Sequence, residues 1–180
     1  MKNKKVFLII IAVLIFVVAG IFWALSKKPN VIVTNFEECA AAGNPIMESY
    51  PPRCIHQGIS YTQNIGNELE KTKLIRITNP RPNQTIKSPL QITGEARGNW
   101  FFEASFPVDL VNSDGVVIAQ GYATAQGEWM TTEFVSFTST LTFTRDNNAY
   151  SNKGTLILHK DNASGLPEHD DALEIPVIIE

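Results

Sequence analysis

In Phe101-Phe102-Glu103-Ala104-Ser105-Phe106-Pro107-Val108-Asp109-Leu110, apolar and polar side chains alternate with a period of two. Successive strand residues point to opposite faces, so Phe102, Ala104, Phe106, Val108 and Leu110 are expected to face a core and Phe101, Glu103 and Asp109 to face solvent. Ser113-Asp114-Gly115 carries hairpin-turn chemistry. It predicts that Val116–Ala123 returns as the antiparallel neighbour of this strand.

The same period extends on both sides. Ile75 and Ile77 alternate with Arg76 and Thr78, and Leu90 and Ile92 with Gln91 and Thr93, the runs being bounded by Asn79-Pro80-Arg81-Pro82-Asn83 and by Gly94. Downstream, Val135, Phe137, Leu141 and Phe143 alternate with Ser136, Thr138, Thr140, Thr142 and Thr144, a solvated threonine row. Asp146-Asn147-Asn148 and Asn152-Lys153-Gly154 read as turns; Leu156 and Leu158 mark a penultimate strand, and Ile175, Val177 and Ile179 the last. Short strands at these intervals predict an all-β domain, a two-sheet sandwich of immunoglobulin type, with a barrel as the alternative. The domain holds no cysteine. Trp100 or Trp129 is therefore expected to anchor its core by packing.

Ile77-Thr78-Asn79-Pro80-Arg81-Pro82-Asn83-Gln84-Thr85-Ile86-Lys87-Ser88-Pro89-Leu90, then Thr93-Gly94-Glu95-Ala96-Arg97 and Trp100-Phe101-Phe102-Glu103-Ala104, resemble the immunoglobulin-like domain of bacterial spore germination proteins. Asp114-Gly115, Trp129-Met130, Phe137, Gly154-Thr155-Leu156 and Ile175-Pro176-Val177 extend the resemblance over about residues 74–180. It implies a sandwich module of bacterial envelope proteins, often placed beside other extracytoplasmic domains, with no catalytic residue to carry over. A sporulation role is not transferred with it. The companion germination domain of those proteins is not recognised here, and a cysteine-containing unit stands before the sandwich instead.

Val6–Leu25 contains no charge, no proline and one glycine, long enough as a helix to cross a hydrocarbon core. Lys2, Lys4 and Lys5 precede it and Lys27 and Lys28 follow, a bias that favours a cytoplasmic N-terminus and an extracytoplasmic remainder. A cleaved signal peptide is the alternative, Ala24-Leu25-Ser26 offering small residues at the cut, but the apolar run exceeds the usual signal length. Cys39 and Cys54 lie beyond it and suit one disulfide in an oxidising compartment. Closing that loop is worth about 3 kcal/mol in the chain-entropy model. Around them, over Asn35–Gln63, Phe36–Ala42 reads as a helix capped by Asn35 or Thr34 and stopped by Gly43; Pro45, Pro51 and Pro52 force extended and turning backbone; and Gln57-Gly58 turns into a short Ile59–Thr62 strand. The expected organisation is a cytoplasmic stub and transmembrane anchor over 1–28, a small stapled unit over 29–63, a polar linker over 64–73 and the sandwich over 74–180.

Five of the 15 lysines and arginines flank the apolar run, which leaves ten against 18 aspartates and glutamates, a formal charge of −8 beyond the anchor. Nucleic acid and anionic head groups are poor partners for such a surface. His56, His159 and His169 fall in different segments, with no nucleophile elbow. Glu103 with Glu95 or Glu133 makes a glycosidase-like carboxylate pair only as a random consequence of acidity. His159–Asp171 concentrates oxygen donors without calcium-loop spacing, and reads as a shaped connection. Neither a metal site nor a cofactor is expected.

The candidate binding surface is aromatic: Phe101 and Phe134 on wet parities, Trp129 and Met130 in the Gly127–Met130 turn, and Glu103 and Arg97 beside them. The expected function is a membrane-anchored, non-catalytic binding or adhesion module of the cell envelope that recognises an envelope protein or a cell-wall polymer. The alternative is an envelope hydrolase or an inhibitor presenting the Pro51-Pro52 loop to a protease.

Overall fold

The computed structural model describes residues 16–17, 32–145 and 149–180. The anchor expected over Val6–Leu25, apart from Phe16 and Val17, and the turn Asp146-Asn147-Asn148 therefore lie outside the described residues. Among the described residues no helix is long and apolar enough to cross a membrane. The chain divides into two compact units between Gln63 and Asn64.

The first unit begins with a reciprocal cap. Asn35 accepts the Glu38 amide at 2.8 Å ahead of helix α1 (Phe36–Ala41), while the Glu38 carboxylate accepts the Thr34 amide at 2.7 Å and its hydroxyl at 2.8 Å. The Thr34 amide, then its hydroxyl, hold the Glu38 carboxyl below its ordinary range. Gly43 ends the helix in left-handed backbone, φ +75°. Strands β1 (Ile46–Met47), β2 (Arg53–His56) and β3 (Ile59–Thr62) follow as an antiparallel sheet. Gln57-Gly58, both at positive φ, closes the β2–β3 hairpin as the sequence predicts. Cys39 and Cys54 join helix to sheet as a disulfide, and with Phe36 they form the buried core, flanked by Val33 and Tyr61.

The second unit is the sandwich. Helix α2 (Glu68–Lys71) leads into β4 (Ile75–Asn79), β5 (Thr85–Ile86), β6 (Leu90–Arg97), β7 (Ser105–Asn112), β8 (Val117–Ala125), β9 (Phe134–Leu141), β10 (Lys153–His159) and β11 (Ala172–Ile179). The ladder runs β4-β6-β9-β8-β7-β10-β11-β5. β8 pairs with β7 over its length but meets β9 only at Thr124 and Ala125, so the sheet folds over there into two facing layers. The rings of Phe106 on β7 and Phe137 on β9 meet between the layers at 5.0 Å, nearly edge to face. The proline-rich run after Asn79 carries the chain from β6's side of the sandwich to the other, where β5 lies parallel to β11.

The expected alternation holds through most of the core. Ile75, Ile77, Leu90, Ile92, Phe106, Val108, Leu110, Val135, Phe137, Leu141, Leu156, Leu158, Ile175, Val177 and Ile179 are all buried, and Trp100 is the tryptophan sealed completely inside. Each fully buried aliphatic side chain is worth about 1.5–3 kcal/mol. Gly94 is required because a Cβ would lie 2.3 Å from the Arg76 carbonyl oxygen and 2.6 Å from the Phe137 ring.

Three expectations are corrected. Phe102, expected inside, is 46 % exposed, and Phe101, expected outside, is buried at 4 %. Glu103 and Ala104 both adopt positive φ, +49° and +62°, in a tight turn closed by reciprocal backbone hydrogen bonds between Phe102 and Ser105. The turn breaks the strand and resets its parity, so that Phe101 packs on Phe106 at 5.2 Å. Gly154, expected in a turn, lies within β10, where a Cβ would come 2.8 Å from the Val111 carbonyl oxygen.

The segment 64–73, expected as a linker, is folded onto β11. Ile65 is buried, the Asn67 side chain donates to the Ala172 carbonyl at 2.9 Å and accepts the Glu174 amide at 2.8 Å, and Lys71 pairs with Asp171. Gly66 permits this approach: a Cβ would lie 1.8 Å from the Glu174 oxygen. Glu68, nearly buried, meets Arg81 at 2.7 Å; burial raises its carboxyl above the ordinary value, with Arg81 acting in opposition.

Candidate binding site at one end of the sandwich

Antiparallel pairing brings three connections to one end of the domain. β6 ends where β9 begins, at the pair Arg97 and Phe134; β8 ends beside the start of β7; and β10 ends at His159 opposite Ala172. Gly98–Ala104, Gln126–Glu133 and Lys160–Asp171 therefore emerge together, with α2 beside the start of β11.

The connections are tied to one another. The Asp161 amide donates to the Trp100 carbonyl at 3.0 Å, and Arg97 donates to the Thr132 carbonyl at 2.9 Å and to the Lys73 carbonyl at 3.2 Å. Gly98 lets the 129–131 backbone lie against the 3-10 turn Gly98–Trp100, since a Cβ there would fall 2.0 Å from the Thr131 oxygen and 2.2 Å from the Trp129 oxygen. Within the same loop Glu128 accepts the Met130 amide at 3.0 Å and Thr131 accepts the Glu133 amide at 3.2 Å. Asn162 organises the last connection: its amide donates to the Leu166 carbonyl at 2.8 Å and to Asp170 at 2.7 Å, and its oxygen accepts from Ser164. An end built this way presents its side chains with little ordering cost on contact.

Three clefts open on this end. The first, about 740 Å³, is lined by Asn67, Lys71, His159, Lys160, Asn162 and Asp171 among others. The second, about 290 Å³, shares Lys160, Asp170 and Asp171 with it and lies over Trp100. The indole N–H of Trp100 is sealed from solvent without a hydrogen bond, so this residue contributes packing and no donor. The third, about 470 Å³, shares Asn99 with the second and is lined by Gly98, Trp129, Met130, Thr131 and Thr132.

Of the residues singled out by sequence, Trp129 is half-buried against the edge of the core, Met130 is 74 % exposed, and Glu103 is exposed in its turn. Phe101 is not at the surface. Phe134 lies on the wet parity, as expected, but Arg76 and Arg97 cover its ring, their guanidinium carbons 4.0 and 4.1 Å from its centroid. Glu95 pairs with Arg76 at 2.8 Å and Glu133 lies 3.6 Å from Arg97, so the carboxylates imagined beside Glu103 are instead ion-paired around Phe134. The acid that feels Glu103 is Asp161, whose carboxyl is raised first by burial and then by that neighbouring charge.

Sequence reasoning missed Phe102, Asn99 and α2. Glu103-Ala104 carries no glycine or asparagine to signal left-handed backbone, and the role of α2 depends on contacts with β11 that no local pattern encodes. Among the described residues no three His, Cys, Asp or Glu side chains gather as a metal-ligand set.

A family model described as the immunoglobulin-like domain of bacterial spore germination matches residues 74–165, just over half of the chain and all of the sandwich from the eve of β4 to the connection before β11. No curated protein and no solved structure matches the chain. The family match and the two facing β-layers agree, and the chain belongs to the family of immunoglobulin-like domains of bacterial spore germination.

Proposed function

We propose that this protein is a membrane-anchored, extracytoplasmic binding module of the bacterial cell envelope, which recognises an envelope protein or a cell-wall polymer through the loop end of its sandwich and has no catalytic role. The observation that carries the reading is the convergence of three connections into one cleft-bearing end beside Trp129 and Met130, the first bonded to the third through Trp100 and Asp161 and the second held to the end of β6 by Arg97. Loops at one end of an immunoglobulin-type sandwich are a recurrent recognition surface because the sheets hold them in fixed relation.

The nearest approach to catalytic chemistry is Ser164, whose hydroxyl lies 3.0 Å from His169 Nδ1. It also lies 2.5 Å from Asn162 Oδ1, within an exposed loop where no third group among the described residues orients the imidazole. Nucleophilic catalysis needs that orienting group and an oxyanion site. The contact is read as loop-shaping.

The test places a photoactivatable phenylalanine analogue at Met130 in the full-length protein in cells, with Tyr122 on the flank of β8 as the control position, followed by membrane fractionation. The expected result is adducts with an envelope component from position 130, absent from position 122, on a chain retained in the membrane. Equal labelling from both positions would remove the site assignment, and recovery of a soluble, released chain would remove the anchor.

A further inference from the structure

We infer that the ligand of this end is an uncharged polysaccharide strand laid across the three clefts with one sugar ring against Trp129. This rests on the binding reading above and narrows it to one chemical class. The clefts are chained: Lys160, Asp170 and Asp171 belong to both the first and the second, and Asn99 to both the second and the third. A series of connected, shallow depressions suits an extended polymer, whereas a small molecule calls for one deep pocket that buries most of its surface.

The lining chemistry selects hydroxyls. Asn162 is held toward Asp170 at 2.7 Å, Lys71 toward Asp171, and Lys160 toward the His169 carbonyl at 3.3 Å. Paired donors and acceptors thus lie side by side in the lining of the first two clefts. A sugar hydroxyl is both donor and acceptor and can satisfy either kind. Charge selects further, because Asp161, Glu168, Asp170, Asp171 and Glu174 outnumber Lys71 and Lys160 along the first two clefts, and a phosphate or uronate polymer would meet net repulsion. At the far end Trp129, Met130, Thr131 and Thr132 line the third cleft with Gly98 and Asn99, and exposed Met130 beside half-buried Trp129 offers an apolar surface for one sugar ring. A protein partner would instead need a central cluster of exposed aromatic and aliphatic anchors. Here Phe102 and Leu166, each about half exposed, belong to different loops and neither lines the third cleft.

The experiment is titration of the full-length protein in detergent micelles with a soluble hexasaccharide of N-acetylglucosamine, read by tryptophan fluorescence and by calorimetry, with a polyglycerol phosphate as the anionic control. The expected result is saturable binding of the hexasaccharide and none of the polyanion. Trp129→Ala should weaken binding at least about tenfold, the loss of one hot-spot contact, and Lys160→Ala should weaken it several-fold. Trp129→Phe, which keeps a ring, should weaken binding less than Trp129→Ala, and Tyr122→Ala, on the flank of β8, should bind within about twofold of the parent. Lys160 is half-exposed, so its variant reports on the trench even if the tryptophan replacements disturb the fold. Absence of hexasaccharide binding, tighter binding of the polyanion, or binding indifferent to both Trp129 and Lys160 would overturn the assignment. An envelope protein captured from position 130 together with no hexasaccharide binding would refute the glycan and leave the binding end standing; capture of nothing from that position together with no binding would refute both.

Discussion

The stapled unit and the sandwich reach order by different means. In the first, Phe36, Cys39 and Cys54 are the buried apolar residues, while Ile46, Met47, Tyr50 and Ile59 of the same unit are about half exposed. In the second, buried apolar residues run from Ile75 to Ile179 in one continuous cluster. A chain segment of so few residues cannot remove enough apolar surface from water to offset its conformational entropy, and a covalent link that restricts the unfolded chain makes up the difference. The sandwich is large enough to rely on burial. The exposed apolar residues of the small unit thus reflect its size and need no ligand to explain them.

The largest effect expected is in the sandwich. Phe106→Ala removes a ring packed against both Phe101 and Phe137 and should cost about 3–5 kcal/mol, seen in denaturant unfolding followed by tryptophan fluorescence, to which the core residue Trp100 contributes. If the small unit, tracked by protection of its disulfide from reductant, opens at the same denaturant concentration in parent and variant, the two units are separately stabilised; a joint shift would collapse the contrast. Cys39→Ser attacks the other side. It should destabilise the first unit by about 3 kcal/mol, with protease cleavage appearing between Phe36 and Thr62 while the fragment containing β4 to β11 persists; persistence of the small unit would show that its three-residue core suffices.

The next two predictions sharpen the picture of the sandwich itself. Gly98→Ala should cost about 1–3 kcal/mol, since its Cβ meets two backbone oxygens, and it should accelerate amide exchange at Met130–Glu133 while leaving β10 and β11 protected. Uniform acceleration would mean that the loop is not an independently held element. The smallest effect concerns Glu68. Its carboxyl is raised by burial above the ordinary value of 4.5, so the stability that it contributes is full below that pH and is lost as pH rises through the raised folded-state value. Relative to Glu68→Gln, the parent should therefore lose stability as pH rises from below the ordinary value of 4.5 through the raised folded-state value. A parent that gains on the variant over that rise in pH would show that pairing with Arg81 outweighs burial.

Legibility differs between the units for the same physical reason. In the small unit nearly every feature is local: the Asn35 cap, Gly43, the Gln57-Gly58 turn and the two cysteines are separated by short stretches of chain and carry their own chemistry. In the sandwich the strands were legible and their interruptions were not. The Glu103-Ala104 turn exists because burying Phe101 against Phe106 outweighs the cost of two non-glycine residues at positive φ, commonly about 1–3 kcal/mol each. That trade depends on partners across the core.

Period-two alternation, turn chemistry and cysteine placement determined by themselves that the chain builds an all-β sandwich after a stapled unit, because strand faces and turns are set by neighbours within a few residues. Tertiary structure alone decided that residues 64–73 belong to the sandwich, that Phe102 and not Phe101 reaches the surface, and that Lys160, Asn99 and Trp129 lie along one chain of clefts. Each of these follows from pairings between strands far apart in sequence, and a local pattern holds no record of which distant strand will lie beside it.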